Sequence, residues 1–245
     1  MKIISLNTWG GTIYEPLKNF IENNSKNTDV FCFQEIRNGT VLNQSECEKE
    51  ERELFTKIKE ILPDFTGYFS KQVEGVGTAT FLKNNIKIEN LDSFEVLSAE
   101  DISHIKRPDG SSYYPRIMQK ISIQNPKLTI YNFHGIPGNK KQDTKERDLQ
   151  TNRLLEIINN DSNSKILVGD FNLGLNTESV NKIGKVLRNL IKEGNFKTTR
   201  NHHYSLYKEL PFADFAFVSN DILVSKFNVL EDEISDHLAL SLETI

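Results

Sequence analysis

The chain has 245 residues, a formal net charge of −4 at pH 7 and a pI near 5.8. That balance excludes phosphate affinity spread over the whole surface but leaves room for a local basic groove. With 37% hydrophobic and 26% charged residues, it reads as a folded chain, and its length suits one α/β domain over residues 1–245 better than two small ones.

A first strand is expected over 2–9, where Ile3, Ile4 and Leu6 are apolar and Gly10-Gly11 breaks the run. Leu17, Phe20 and Ile21 give a helix over about 14–24, and a second strand follows from Asp29 to Gln34. Residues 45–62 read as a helix burying Leu54, Phe55, Ile58, Ile61 and Leu62, stopped by Pro63. Strands are expected near 65–71, 77–83, 86–97, 113–123 and 127–133, with Asn125-Pro126 as the turn before the last. A helix over about 142–159 buries Leu154, Leu155, Ile157 and Ile158, and a strand follows at 165–169. A helix over 177–193 buries Val180, Ile183, Val186, Leu187, Leu190 and Ile191; strands at 213–218, 222–229 and 237–242 close the chain. Strands interleaved with helices, then hairpin-like strands, argue for two mixed sheets packed face to face with helices outside.

The two cysteines, Cys32 in an apolar strand and Cys47 in a charged stretch, form no disulfide framework. No apolar run approaches the roughly 18 residues that span a membrane. The N-terminal Lys2-Ile3-Ile4-Ser5-Leu6-Asn7 is too short and polar for a signal peptide. A reduced, cytoplasmic compartment and a monomer are expected.

Several apolar strands end on polar groups that suit metal and proton chemistry, and loops at strand ends are where scaffolds display reactive groups. Glu35 follows Val30-Phe31-Cys32-Phe33-Gln34; its carboxylate can bind a hard cation or act as a cap or surface acid. Asn7 ends the first strand as a candidate ligand or a turn residue. In Gly169-Asp170-Phe171-Asn172, alternate positions point the same way. Acid and amide there can address one ligand, or close an Asx-turn. Asp214 lies inside Phe212-Ala213-Asp214-Phe215-Ala216-Phe217-Val218 and needs a partner, because an unpaired buried charge is costly; His237 is the expected one. Asp236-His237 opens the last strand and can place one group on a metal and the other on a substrate oxygen, or be a solvated turn. His134 ends Leu128-Thr129-Ile130-Tyr131-Asn132-Phe133, as a structural or catalytic histidine.

In chain order, Asn7, Gln34-Glu35, Asn132-Phe133-His134, Gly169-Asp170-Phe171-Asn172, Asp214-Phe215 and Ser235-Asp236-His237 resemble the endonuclease/exonuclease/phosphatase superfamily. The resemblance implies a four-layer α/β sandwich and Mg²⁺- or Mn²⁺-dependent cleavage of a phosphate ester. Carried over by residue, it implies Glu35 as main metal ligand with Asn7 and Asp236 near the cation. It implies Asp170 as the base for the attacking water, Asn172 as the amide holding that water or a phosphate oxygen, and His237 as the phosphate-contacting histidine oriented by Asp214. His134 takes the place where other members carry His or Tyr. Arg147 and Gln150 match a recurrent pattern and can serve simply to anchor their helix.

Substrate is less legible, because one fold hosts many chemistries. The runs 197–208, with Tyr204 and Tyr207, and 104–116, with Tyr113, Tyr114 and Arg116, interleave basic and aromatic residues. They suit a nucleic-acid backbone and stacked bases, or are solvated loops. A nucleic acid is the first expectation, as substrate of a nuclease or repair-type phosphodiesterase. The alternative is a small phosphorylated molecule or lipid headgroup.

Overall fold

The apolar alternation builds two sheets and two cores. In a computed structural model that describes residues 1–39, 49–138 and 140–245, one six-stranded sheet contains β1 (Lys2–Asn7), β2 (Val30–Arg37), β3 (Phe65–Val73), β4 (Val76–Lys83), β11 (Val224–Val229) and β12 (Leu240–Thr244), in the order β11-β12-β1-β2-β4-β3. The other contains β5 (Ile88–Leu97), β6 (Arg116–Ile123), β7 (Leu128–His134), β8 (Ser164–Asp170), β9 (Arg188–Asn189) and β10 (Asp214–Val218), in the order β5-β6-β7-β8-β10-β9. Each sheet has one parallel pair at its centre, β1–β2 and β7–β8, and antiparallel neighbours outside it.

Alternation along β2 shows why its run is nearly all apolar. Val30 and Cys32 join the core that includes Ile121, Ile130, Val168 and Phe215, whereas Phe31 and Phe33 face Leu17, Phe20 and Ile21 of α1 (Tyr14–Ser25) and Leu54 and Ile58 of α2 (Leu54–Ile61). A strand buried on both faces reads as a continuous hydrophobic run. On the second sheet, Leu154 and Ile158 of α3 (Lys145–Asn159) and Val180 and Ile183 of α4 (Glu178–Gly184) join the first of these cores. The result is the expected four-layer sandwich, helices outside and two mixed sheets within.

The sheets are tied together near the site by buried hydrogen bonds. Gln34 Nε2 donates to Asn132 Oδ1 at 2.7 Å. Asn132 Nδ2 reaches across to the carbonyls of Phe33 (3.2 Å) and Ala79 (3.1 Å). Thr80 and Gln119 extend the tie at 2.5 Å between Oγ1 and Oε1. Buried networks of this kind fix a unique arrangement; here, with Gln34 Oε1 left without a partner among the described residues, they fix β2 against β7.

Several expected boundaries shift. The helix placed at 45–62 is α2 alone; residues 49–53 form turns and bends, and 45–48, with Cys47, lie outside the described residues. The helix placed at 177–193 is broken. α4 ends at Gly184, a poor helix former, and β9 then pairs with β10 before the short α5 (Leu190–Glu193). Edge pairing outweighs helical spacing there, and Val186 becomes exposed rather than buried. α3 starts at Lys145 because Thr144 caps it, its side chain accepting from Arg147 N. Leu155 and Ile157 are only partly buried, and Arg147, Gln150 and Thr151 fill that face instead. No helix among the described residues is long and apolar enough to cross a membrane.

Candidate active site

The four ends of the two central parallel pairs meet at one rim. Asn7 closes β1, His134 closes β7 and Asp170 closes β8. Glu35 does not end its strand as expected. β2 continues to Arg37, and the β2–β4 register slips between Phe33 and Ile36, so Glu35 sits in a bulge at φ 55°. A bulge re-aims a side chain out of the pleat, and this one turns Glu35 toward the second sheet. Asn7 Nδ2 bridges the two acids, donating to Glu35 Oε1 at 3.1 Å and Asp170 Oδ2 at 3.0 Å. The Asn7 oxygen is taken up by Trp9 N at 3.0 Å.

His134 Nε2 lies 3.6 Å from Glu35 Oε1 and 3.7 Å from Asp170 Oδ2, and its buried Nδ1 has no hydrogen-bond partner among the described residues. Burial, then Arg116, pushes the His134 pKa down to about 4, so the ring is neutral at pH 7. Burial opposes charge on Asp170, yet His237, Lys141 and Arg200 hold it well below the usual carboxylate range, with His134 adding to them only when protonated. Glu35 is also held low against burial, and with His134 neutral the Asn7 amide is the donor that matters near pH 7.

β10 runs antiparallel to β8 with Asp214 opposite Asp170. His237, just before β12, puts Nδ1 at 2.8 and 2.9 Å from the two Asp214 oxygens and Nε2 at 3.6 Å from Asp170 Oδ2. The partner expected for the buried Asp214 is therefore in place. Burial and Arg200 work against charge on His237, but Asp214, Asp236 and Asp170 outweigh them and raise its pKa. Burial raises that of Asp214, with His237 opposing.

Among the described residues, two of three potential metal-holding groups share one acid: Glu35–His134–Asp170 and Asp170–Asp214–His237, each with its ligand atoms within 4.8 Å of one another; the third, His202–His203–Glu233, is exposed. The first suits a hard cation, since its two carboxylates converge with only one neutral amide between them. In the second, Asp214 and His237 already satisfy each other.

A cavity of about 410 Å³ opens over this rim, lined by Trp9, Glu35, Lys141, Asp170, Arg200 and His237 among others. Of the non-glycine residues at positive φ among those described, Trp9 (50°), Glu35 (55°), Lys141 (49°) and Asn172 (56°) line it, and Asn195 (50°) does not. Each such backbone costs about 1–3 kcal/mol and tends to cluster at functional sites. A second cavity of about 430 Å³ shares Glu35, Glu50, Pro137 and Gly138 and is lined by Arg107, Tyr114 and Arg116. Arg116 is 3% exposed, and burial, then Arg107, lowers its pKa to about 10.

Asn7, Glu35, His134, Asp170, Asn172, Asp214 and His237 thus converge. Asn172 donates through Nδ2 to the Gly135 carbonyl at 3.1 Å and to Asp170 Oδ2 at 3.2 Å, and its backbone N closes the Asx-turn on Asp170 Oδ1 at 2.8 Å. Asp236 lines the same cavity, its Oδ1 3.7 Å from His237 Nε2 and its Oδ2 bound to Arg200 Nη1 at 2.6 Å, and it belongs to none of the three potential metal groups. Gln150 and Arg147 hold the loop after His134, Gln150 Oε1 accepting from Ile136 N at 2.9 Å and Arg147 Nη2 donating to Ile136 O at 3.4 Å. The residue that sequence reasoning missed is Lys141. It sits in Lys140-Lys141, which looks like any solvated loop, and no periodicity marks it. Arg200 was visible only as one charge within a basic run.

A search of curated protein sequences finds no match. Among solved structures, the chain is similar to a mannosyl-6-phosphatase of Bacteroides thetaiotaomicron at 18% identity and TM-score 0.74, covering 100% of this chain and 99% of that one. It is also similar to the human Nocturnin catalytic domain with bound sulfate, at 16% identity and TM-score 0.66, covering 100% and 93%. Humanized D. rerio TDP2 matches at 12% identity and TM-score 0.68, covering 100% and 98%. At these identities the likeness establishes the fold alone. The family model described as Endonuclease/Exonuclease/phosphatase family matches residues 4–237, and the chain belongs to that family.

Proposed function

We propose that the protein is a divalent-metal-dependent phosphoric ester hydrolase. The observation that carries this is the convergence of Glu35, His134 and Asp170 on one rim beside the paired Asp214 and His237. Glu35 and Asp170, joined by Asn7, are the residues to hold Mg²⁺ or Mn²⁺, and such an ion supplies charge stabilisation to the phosphoryl oxygens. Asp170 is placed to orient and deprotonate the attacking water, with Asn172 fixing the carboxylate through two hydrogen bonds. In-line attack forms the new P–O bond as the ester P–O bond breaks. His237, whose pKa is raised by its acidic surroundings against burial and Arg200 and which Asp214 aligns, donates to a phosphate oxygen. Asp236 pairs with Arg200 and faces His237 Nε2 at 3.7 Å.

For the substrate, we favour a nucleic-acid strand. Arg107 lies 4.4 Å from the Tyr114 ring centroid and Arg200 lies 4.2 Å from that of Tyr204, and these residues line the two adjoining cavities. Cationic and aromatic walls of this kind suit a phosphate backbone with stacked bases. A small phosphate ester is the second reading, supported by the likeness to a mannosyl-6-phosphatase and by cavity volumes of 410 and 430 Å³, which fit one sugar phosphate. Incubation with Mn²⁺ and plasmid DNA, single-stranded DNA, RNA, bis-p-nitrophenyl phosphate and hexose phosphates, each with an EDTA control, separates these. Hydrolysis of hexose phosphates without cleavage of any nucleic acid would reverse the order of the two readings. No metal-dependent hydrolysis of any of them would end both.

A further inference from the structure

Lys141 is 5% exposed, yet the acceptor its ammonium meets is the neutral amide oxygen of Asn172. It makes no ion pair with a carboxylate among the described residues. A buried ammonium without a counter-charge in contact is costly, and this one stands on a backbone at φ 49°. Among the described residues the side chain makes no hydrogen bond beyond Asn172, and its charge reaches Asp170 only through space.

Arg200 is close by and equally enclosed, at 4% exposed. Its Nη1 is held by Asp236 at 2.6 Å, its plane lies over Tyr204, and its Nε is buried without a hydrogen-bond partner among the described residues. The Tyr204 ring centroid is 4.2 Å from the Arg200 guanidinium carbon and 6.0 Å from Lys141 Nζ, so one aromatic seats both cations. Both line the cavity that contains Asp170 and His237. Two like charges gathered in a closed wall, each with unused donors, call for an anion between them.

We infer that Lys141 and Arg200 form an oxyanion seat for the phosphate group, binding its nonbridging oxygens in the cavity that they share with Asp170 and His237. The inference rests on the phosphoesterase reading for its role in turnover, but not for the anion site itself. Fixed cations placed where negative charge develops need no reorganisation during reaction.

The test titrates inorganic phosphate into EDTA-treated full-length protein by calorimetry, for wild type, Lys141→Met and Arg200→Met, with thermal melts taken without anion. Hydrolysis of bis-p-nitrophenyl phosphate with Mn²⁺ is measured alongside. Lys141→Met is expected to weaken phosphate binding by at least about 10-fold and to slow turnover by about 100-fold or more, with an anion-free melting temperature equal to wild type or higher. Equal phosphate affinity in wild type and both variants, or no phosphate binding by wild type, would overturn the seat. So would an anion-free melting temperature lowered by more than about 5 °C in Lys141→Met, since the ammonium would then serve the fold. Lys141-dependent phosphate binding in a protein that hydrolyses no ester would uphold the seat and remove the hydrolase reading instead.

Discussion

Asp214 Oδ2 lies 2.8 Å from His237 Nδ1, and the same strand register sets Asp214 opposite Asp170. One pairing of β8 with β10 therefore brings the base candidate and the support of the histidine into a single row. The residues on both sides of Asp214 are apolar, and the acid's hydrogen-bonding partner is this histidine.

Asp214→Asn keeps the shape and removes the charge that raises the His237 pKa. Loss of one positioned acid–base group commonly costs about 10²–10⁴ in rate, and a loss in that range is expected in steady-state assays. A pH effect accompanies it. The folded His237 has a raised pKa, so its stabilising contribution is complete below the unfolded value of about 6.5 and disappears as pH rises through the folded one. Denaturant titrations of EDTA-treated protein at a series of pH values above 6.5 should show wild type losing stability that His237→Gln does not lose. Parallel pH profiles for the two proteins would contradict the assignment.

Glu35→Gln separates metal binding from folding. Glu35 is offset by an amide, not by a cation, in direct contact, and it shares that amide with Asp170. Neutralising it relieves repulsion between the two acids. Calorimetric Mn²⁺ affinity should fall by about 100-fold, comparable to the loss of a ligand's support at other metal sites, while the metal-free protein melts no lower than wild type. Unchanged Mn²⁺ affinity would move the cation away from Glu35.

Much of this site is legible before any coordinates, and the reason is local. Glu35, His134, Asp170 and Asp214 each interrupt or end a run of buried residues, and a polar group inside an apolar strand announces itself through cost. Lys141 and Arg200 are equally buried but lie in loops, where the neighbouring residues are polar anyway and no contrast appears. The bulge at Glu35 is invisible for a different reason: the slip belongs to the pairing with β4, not to either strand alone. The break at Gly184 is similar, because the edge of a distant strand, β10, recruits Arg188 and Asn189 out of a helical pattern.

Asn132→Leu tests the tie between the sheets. Asn132 accepts from Gln34 and donates to the Phe33 and Ala79 carbonyls, all in the interior. Leucine fills similar space and removes all of these bonds, although Gln34 Nε2 keeps Ser5 Oγ and the Cys32 carbonyl as acceptors. An unsatisfied buried polar group costs about 1–3 kcal/mol, so a loss of about 3 kcal/mol is expected in urea titrations. Turnover should fall as well, measured at a temperature where the variant is still folded, because β2 then carries Glu35 without a fixed position against His134.

Gly169 is where the backbone itself sets the site. It pairs with Phe133 across the parallel β7–β8 junction, at φ 141°, and a Cβ placed there would lie 1.9 Å from the Phe133 carbonyl oxygen. That oxygen belongs to a strand buried in the interior and cannot swing aside as a flexible side chain could. Gly169→Ala must push β7 and β8 apart, one residue before His134 and Asp170 take up their places. The expected cost is at least about 2 kcal/mol by overpacking alone, read in denaturant titrations. A larger effect than that of Gly110→Ala distinguishes close approach from simple loss of backbone freedom. Gly110 also has positive φ, 84°, but nothing lies within 4 Å of its would-be Cβ. Equal losses in the two variants would mean that the strands yield, and that the spacing between His134 and Asp170 is not fixed by this contact.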